Sequence, residues 1–210
     1  MKNGFALTAM LIVAPLSVHA RSVDLQVRGT LAPAACTVLL GQDGRFDLGV
    51  VSGGMLSRTE ETQLPDQRLD FRMQCAAPTM IALSTTDLRA GTASGTGTVG
   101  FKFGLGLTPE GEKIGSTLLR LDDLMVDGVD ARTIFSSDQG GNWFGGPQIE
   151  SAFRPDWWST FAVAGTPTPL VLQSVGAVLR TVTMVAPRAE LTMTDEIALD
   201  GAVLIELKYL

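Results

Sequence analysis

Apolar and polar residues alternate along much of this chain with a period of two, the spacing of a half-buried β-strand; little of it carries the 3.6-residue period of a helix. Thr79 to Thr85, Thr98 to Leu107, Leu170 to Gln173 and Gly176 to Val185 read as strands, by alternation and by β-branched content. Leu118 to Met125 fits either a turn or two of helix or a strand, and the strand is preferred. Three Asp-Gly pairs lie between apolar runs: Asp43-Gly44, Asp127-Gly128 and Asp200-Gly201. Each suits a tight hairpin, because both residues tolerate the positive φ such turns demand. Gly91 to Gly100, rich in Gly, Thr and Ser, reads as a mobile connection, and there is no internal repeat. Many short strands between regular turns predict an all-β sandwich.

Both ends of the chain carry their own patterns. Lys2, the apolar run Phe5 to Leu16 and the small residues of Val18-His19-Ala20 have the order of a secretory signal with cleavage after Ala20. An uncleaved signal helix is the alternative. From Val23 onward, Val23, Leu25, Val27, Gly29 and Leu31 fall on one face, with Asp24, Gln26, Arg28 and Thr30 on the other. A strand so patterned must lay its apolar face in something. At the far end, Val203, Ile205, Leu207 and Tyr209 share one side of a final strand that ends in Leu210. The expected organisation is a signal over 1–20, an extension over 21–32 and one β-sandwich over 33–210.

Removing the signal changes the chemistry available. His19 is the sole histidine, so the expected mature chain of 190 residues has none. That disfavours histidine-based triads, histidine zinc sites and imidazole switches. Lys2 leaves as well, so 15 of the 16 basic residues face 22 acidic ones, a net charge of −7 in place of −6. An acidic surface repels phosphate backbones, so nucleic acid is not an expected partner. Cys36 and Cys75 form an even pair in an exported chain, which predicts a disulfide. Closing a loop of that size stabilises a fold by ~4 kcal/mol on the chain-entropy account.

Other constellations are weaker. Asp122, Asp123, Asp127 and Asp130 lack the spacing that converges oxygens on calcium, and read as a solvated hairpin. Neither Ser-x-x-Lys nor Gly-x-Ser-x-Gly occurs, and no Gly-rich loop is followed by Lys-Ser/Thr, so neither catalysis nor a cofactor is expected. Trp143, Trp157 and Trp158 lie among Phe144, Phe153 and Phe161 within twenty residues. Core packing or subunit contact is the leading reading of that cluster, and a patch stacking on a host glycan is the functional alternative.

The segment Gly29-Thr-Leu-Ala-Pro-Ala-Ala-Cys36 resembles the amino-terminal region of chaperone–usher pilins, where an alternating extension carrying a Gly leads into Ala-Ala-Cys. In those pilins a second cysteine follows about forty residues on, as Cys75 does here. The penultimate aromatic Tyr209 matches the end such subunits show to their chaperone. Together with Cys75-Ala-Ala-Pro78, Ala82-Leu-Ser84, Asp87, Arg89-Ala-Gly-Thr92 and Leu199-Asp-Gly201, the chain resembles fimbria-associated exported proteins often described as a domain of unknown function. One departure is Ile197, which stands where pilins commonly carry a Gly fourteen places from the end.

The resemblance implies an immunoglobulin-like sandwich lacking its final strand, whose groove is filled first by a periplasmic pilus chaperone. At an outer-membrane usher, a neighbouring subunit's extension then replaces the chaperone. Val23, Leu25, Val27, Gly29 and Leu31 become the donor strand; Val203, Ile205, Leu207, Tyr209 and Leu210 become the wall that meets chaperone or neighbour. The implied product is a structural fimbrial subunit at the cell surface. A carbohydrate-binding tip adhesin and a secreted monomer that folds its own extension into its sandwich are the alternatives.

Overall fold

The computed structural model describes residues 35–95, 99–145, 152–194 and 196–210. The signal segment and the extension, with Val23, Leu25, Val27, Gly29 and Leu31, lie outside the described residues. The strands are β1 (Cys36–Leu40), β2 (Thr62–Gln63), β3 (Gln67–Thr79), β4 (Ile81–Asp87), β5 (Phe103–Gly104), β6 (Gly115–Val126), β7 (Val129–Asp130), β8 (Arg132–Ser136), β9 (Trp158–Ala162), β10 (Leu172–Val185) and β11 (Val203–Tyr209). One sheet has the order β1-β3-β10-β6-β5, with β2 against β10 and β7 against β6; the other has the order β11-β4-β9-β8. All these strand pairs are antiparallel, so the predicted all-β sandwich is what the chain forms.

Alternation explains the core. Along β3, Leu69, Phe71, Met73 and Cys75 are buried while Arg68, Asp70, Arg72 and Gln74 face outward. Phe71, Met73 and Cys75 meet Phe103, Leu119, Leu121 and Leu179 of the same sheet and Ile81, Leu83 and Phe161 of the other in one apolar cluster. On the outer face, Arg180 bridges Asp66 at 2.7 Å and Asp122 at 2.6 Å, so the charges there are largely paired.

The preferred strand over Leu118 to Met125 is observed, and several other local expectations change. Leu118 to Met125 lies within the long strand β6. Leu172 and Gln173 join Gly176 to Val185 in the single strand β10, whose breaks in register absorb the irregular stretch between them, while Leu170 and Val171 precede it. Thr98 to Leu107 is mostly not strand: a 3-10 turn over Val99–Phe101 precedes the two-residue β5. Of the Asp-Gly pairs, only Asp127-Gly128 makes a hairpin, β6 to β7, with φ of 48° and 78°. Asp43-Gly44 has the positive φ expected of it, but β1 pairs with β3 rather than with the residues just after the turn. Asp200-Gly201 is not a hairpin either. The connection over 91–95 and 99–102 is fastened by Glu61, which accepts from Ser94 Oγ at 2.9 Å and pairs with Lys102 Nζ at 3.4 Å.

The two flanks of the sandwich differ. On one, the chain leaves β8, pairs Phe144 with Phe135, and later sends the Phe153 N–H to Leu119 O of the opposite sheet at 2.8 Å before returning as β9. That crossing covers the flank with aromatics. On the other flank, β1 and β11 are both edge strands, and no described strand lies between them.

Candidate functional site

The open flank holds a groove of about 620 Å³. Its floor is the inward face of β10 and β6, with Leu179, Thr181 and Thr183 alongside Leu119 and Thr117. Val203 and Ile205 of β11 form one wall, and Leu40, Phe46 and Leu48 the other. A second chamber of about 460 Å³ shares Phe46, Leu48 and Leu199 with the first and continues past Val51, Ile114, Val185 and Ile197. Ile197, in the position where pilins commonly carry Gly, therefore lines this lower chamber.

Register shows which way the backbone groups of the rims point. Leu88 N–H donates to Ala202 O, and Leu210 N–H to Met80 O, at 2.9 and 3.1 Å. Val203, Ile205, Leu207 and Tyr209 thus occupy non-hydrogen-bonded positions against β4, and their own N–H and C=O groups point off the free edge. On β1, the bond from Ala76 N–H to Ala35 O does the same for Cys36, Val38 and Leu40. Below β1, residues 46–51 pair with no described strand. The inward side chains Val38, Leu40, Val203, Ile205 and Leu207 are only half-buried, although they touch the core. A floor of leucines and buried threonines between two edges that, among the described residues, have no strand beyond them has the geometry of strand addition.

Three devices hold the rims. Cys36 and Cys75 face each other across β1 and β3 and are joined by a disulfide, as predicted, with Cα atoms 3.9 Å apart. The Tyr209 hydroxyl accepts a hydrogen bond from Cys36 N–H at 2.9 Å, tying the end of β11 to the start of β1. Tyr209 is itself exposed, unlike the half-buried Val203, Ile205 and Leu207.

The third device gathers the sequence words Asp87, Arg89 to Thr92 and Leu199 to Gly201. Buried Asp87 accepts from Arg89 N–H at 2.8 Å and from Gly104 N–H at 2.9 Å. Arg89 reaches Asp200 through Nε to its carbonyl, at 2.9 Å, and through a second nitrogen to its carboxylate. Gly104 packs so tightly that a Cβ there would overlap Thr92 Oγ1 and Arg89 O. This clasp delivers the chain into β11. Asp87→Ala is expected to destabilise the fold by about 3 kcal/mol, since it strands two amides. Asp200→Ala is expected to cost under about 1 kcal/mol, because its carboxylate is exposed. Chemical denaturation of the two variants checks the order.

Electrostatics reinforce the rims locally. Thr192 N–H, at 2.6 Å, and its hydroxyl hold the Glu112 carboxyl below its usual range and fasten the wall of the lower chamber. Near the C-terminus, Gly140 lies against Trp158 and Leu210. Its loop is organised by Asp138, which accepts from the Ser136 hydroxyl and from the Asn142 backbone and side chain. These bonds lower the Asp138 carboxyl to about 2. A depressed carboxyl contributes above its unfolded value and loses that contribution as pH falls through the folded one. The fluorescence of neighbouring Trp143 is therefore expected to change with a midpoint near pH 2. A midpoint near 4, the ordinary aspartate range, would contradict it.

In the aromatic cluster, Phe135, Phe153 and Phe161 are fully buried, whereas Trp143, Trp157 and Trp158 are half-buried. Phe144 meets Trp157 edge to face at 5.4 Å. The Arg154 guanidinium lies 3.9 Å from the Phe101 ring centre and 4.3 Å from that of Trp157, and burial lowers its pKa. The rings of Phe101, Phe135 and Trp157 thus meet one arginine. Among the described residues, no group of three metal-ligating side chains converges.

Sequence reasoning missed the Arg89–Asp200 clasp, the threonine stretch of the floor, the unpaired 46–51 segment and the reach of Tyr209 to Cys36. The clasp residues stood out only as short words without a stated pairing, and the 46–51 segment left a signal in the alternation of Phe46 and Leu48 with Asp47 and Gly49.

The fold and groove define an all-β sandwich with one open flank among the described residues. The model of a family described as a protein of unknown function (DUF1120) matches residues 25–101, a stretch containing both cysteines, Asp87 and Arg89 to Thr92. Two proteins of Escherichia coli (strain K12) are similar. "Uncharacterized protein YhcF" is 26% identical over 218 residues, 90% of each chain. "Protein GltF" is 28% identical over 144 residues, 55% of this chain and 57% of its own.

Proposed function

We propose that this chain is a structural subunit of a surface fimbria, built by the chaperone–usher route, in which residues 23–31 of one copy fill the groove of the next. The observation that carries the reading is the open flank, where two backbone edges face a floor of leucines and buried threonines with no described strand between them. A single chain carrying both such a groove and an alternating apolar segment has the two halves of a self-propagating contact, head to tail and therefore open-ended. On this reading, residues 1–20 direct export, 21–32 are donated and 33–210 form the sandwich. The role is structural rather than catalytic.

An unfilled groove of this size would aggregate in transit, which is the physical need a periplasmic chaperone meets. Purification of the protein from the periplasm tests this. A stoichiometric partner with a β-strand seated between β1 and β11 is expected. Recovery of the free subunit alone, stable and without a partner, would count against the route. Adding a tag after Leu210 is expected to prevent that capture, because the chaperone in such systems grips the terminal carboxylate; undiminished capture would remove Leu210 from the contact.

A further inference from the structure

We propose that Tyr209 is the end-stop of the groove: its phenol, bonded to Cys36 N–H, closes the disulfide end and sets the register of an inserted strand. The inference rests on the reading of the groove as a strand acceptor. The Ala76–Ala35 bond turns the Cys36 N–H towards the free edge, so it is the first donor of the β1 rim. Tyr209 lies on the opposite rim, and its hydroxyl reaches across to that donor at 2.9 Å. Between the two rims at this level the gap is therefore bridged by a side chain. Lower down, from Leu40 and Ile205 onward, it is the open cavity.

A strand entering the groove finds the outward groups of Val38 and Leu40 and those of Val203, Ile205 and Leu207 facing no other described strand, while the Cys36 N–H is already engaged. Pairing stops one rung short of the disulfide. A period-two strand can slip by two residues and keep its apolar face inward, so alternation alone does not choose among registers. A fixed obstacle at one end does.

Peptides spanning Arg21 to Ala32 test this, each carrying a benzophenone at Asp24, Gln26, Arg28 or Thr30, the positions facing away from the floor. They are added in excess to the full mature chain, and crosslinks are mapped by mass spectrometry. Wild type is expected to crosslink at Leu39, Leu204 and Glu206 in a single register. Tyr209→Phe keeps the ring and loses the bond. It is expected to add a second register, shifted by two residues and reaching Thr37 and Lys208, with faster exchange of the Cys36 amide. Crosslinks at Thr37 in wild type would overturn the end-stop whether or not the variant folds. An unchanged single register in a folded Tyr209→Phe protein would overturn it while leaving the groove reading intact. Failure of every peptide to engage wild type would remove the groove reading, and the end-stop with it.

Discussion

Changing Leu25 or Val27 to Asp is expected to weaken the docking of one copy onto the next by at least about 100-fold, whereas Gln26→Asp changes it by no more than a few-fold. The asymmetry follows from the groove. Its floor presents Leu119 and Leu179, and its walls Leu40, Phe46, Val203 and Ile205; Arg45 also lines the groove, as an exposed residue beside Phe46 rather than on the floor. A charge forced against the two leucines of the floor loses its hydration there. A hundredfold loss corresponds to about 2.8 kcal/mol, modest for burial of an unpaired carboxylate. Gln26 falls on the other face of the alternation, where an added charge stays in water. Binding of the corresponding synthetic peptides, measured by calorimetry, gives both numbers. Equal losses at positions 25 and 26 would mean that the segment does not bind as a strand.

Replacing Cys36 and Cys75 together by Ser is expected to destabilise the fold by roughly 2 to 5 kcal/mol. For a domain of this size that is a fall in Tm of about 10 °C. The bridge closes a loop of 39 residues and pins a five-residue strand that, among the described strands, pairs with β3 alone. Its loss also frees the first residue of β1, and with it the tie to Tyr209. Thermal melts of the mature protein with and without reductant check the effect, and thiol labelling of the unfolded, unreduced protein should find no free cysteine. An unchanged Tm would show that β1 is held by its ladder to β3 alone.

Much of this fold was legible because alternation is a local property. β11 shows it in Val203, Ile205 and Leu207, whereas β6 left helix and strand both open, and the disulfide followed from two cysteines and an expected export signal. Turn dipeptides were less informative, for a physical reason. Asp43-Gly44 announces a backbone with positive φ, and the backbone has it, yet nothing local states which strands the turn will leave side by side. β3 was available in the alternation of Leu69, Phe71, Met73 and Cys75 with charged or polar neighbours. β8 and β9 were not, since four consecutive residues of each are buried and erase the period.

The site divides in the same way. Spacing alone put Val203, Ile205 and Leu207 on one side of the last strand, and the resemblance to pilins made that side a wall. The clasp joins residues over a hundred positions apart, Arg89 with Asp200, and the Tyr209–Cys36 bond spans 173, so neither leaves a local trace. The threonines of the floor, Thr117, Thr181 and Thr183, are buried hydroxyls that a sequence reader assigns to the outside. Two of them satisfy each other, at 3.1 Å between the Thr117 and Thr183 oxygens.

The central claim is that the groove of one copy is filled by the extension of another, and the assembly state of the intact mature protein tests it most directly. Sedimentation across a range of concentrations, with hydrogen exchange at Leu25, separates donation between copies from insertion within one. The account predicts polymers that grow with concentration, Leu25 becoming protected only as they form. A protein that stays monomeric at every concentration, with Leu25 protected throughout, would contradict it.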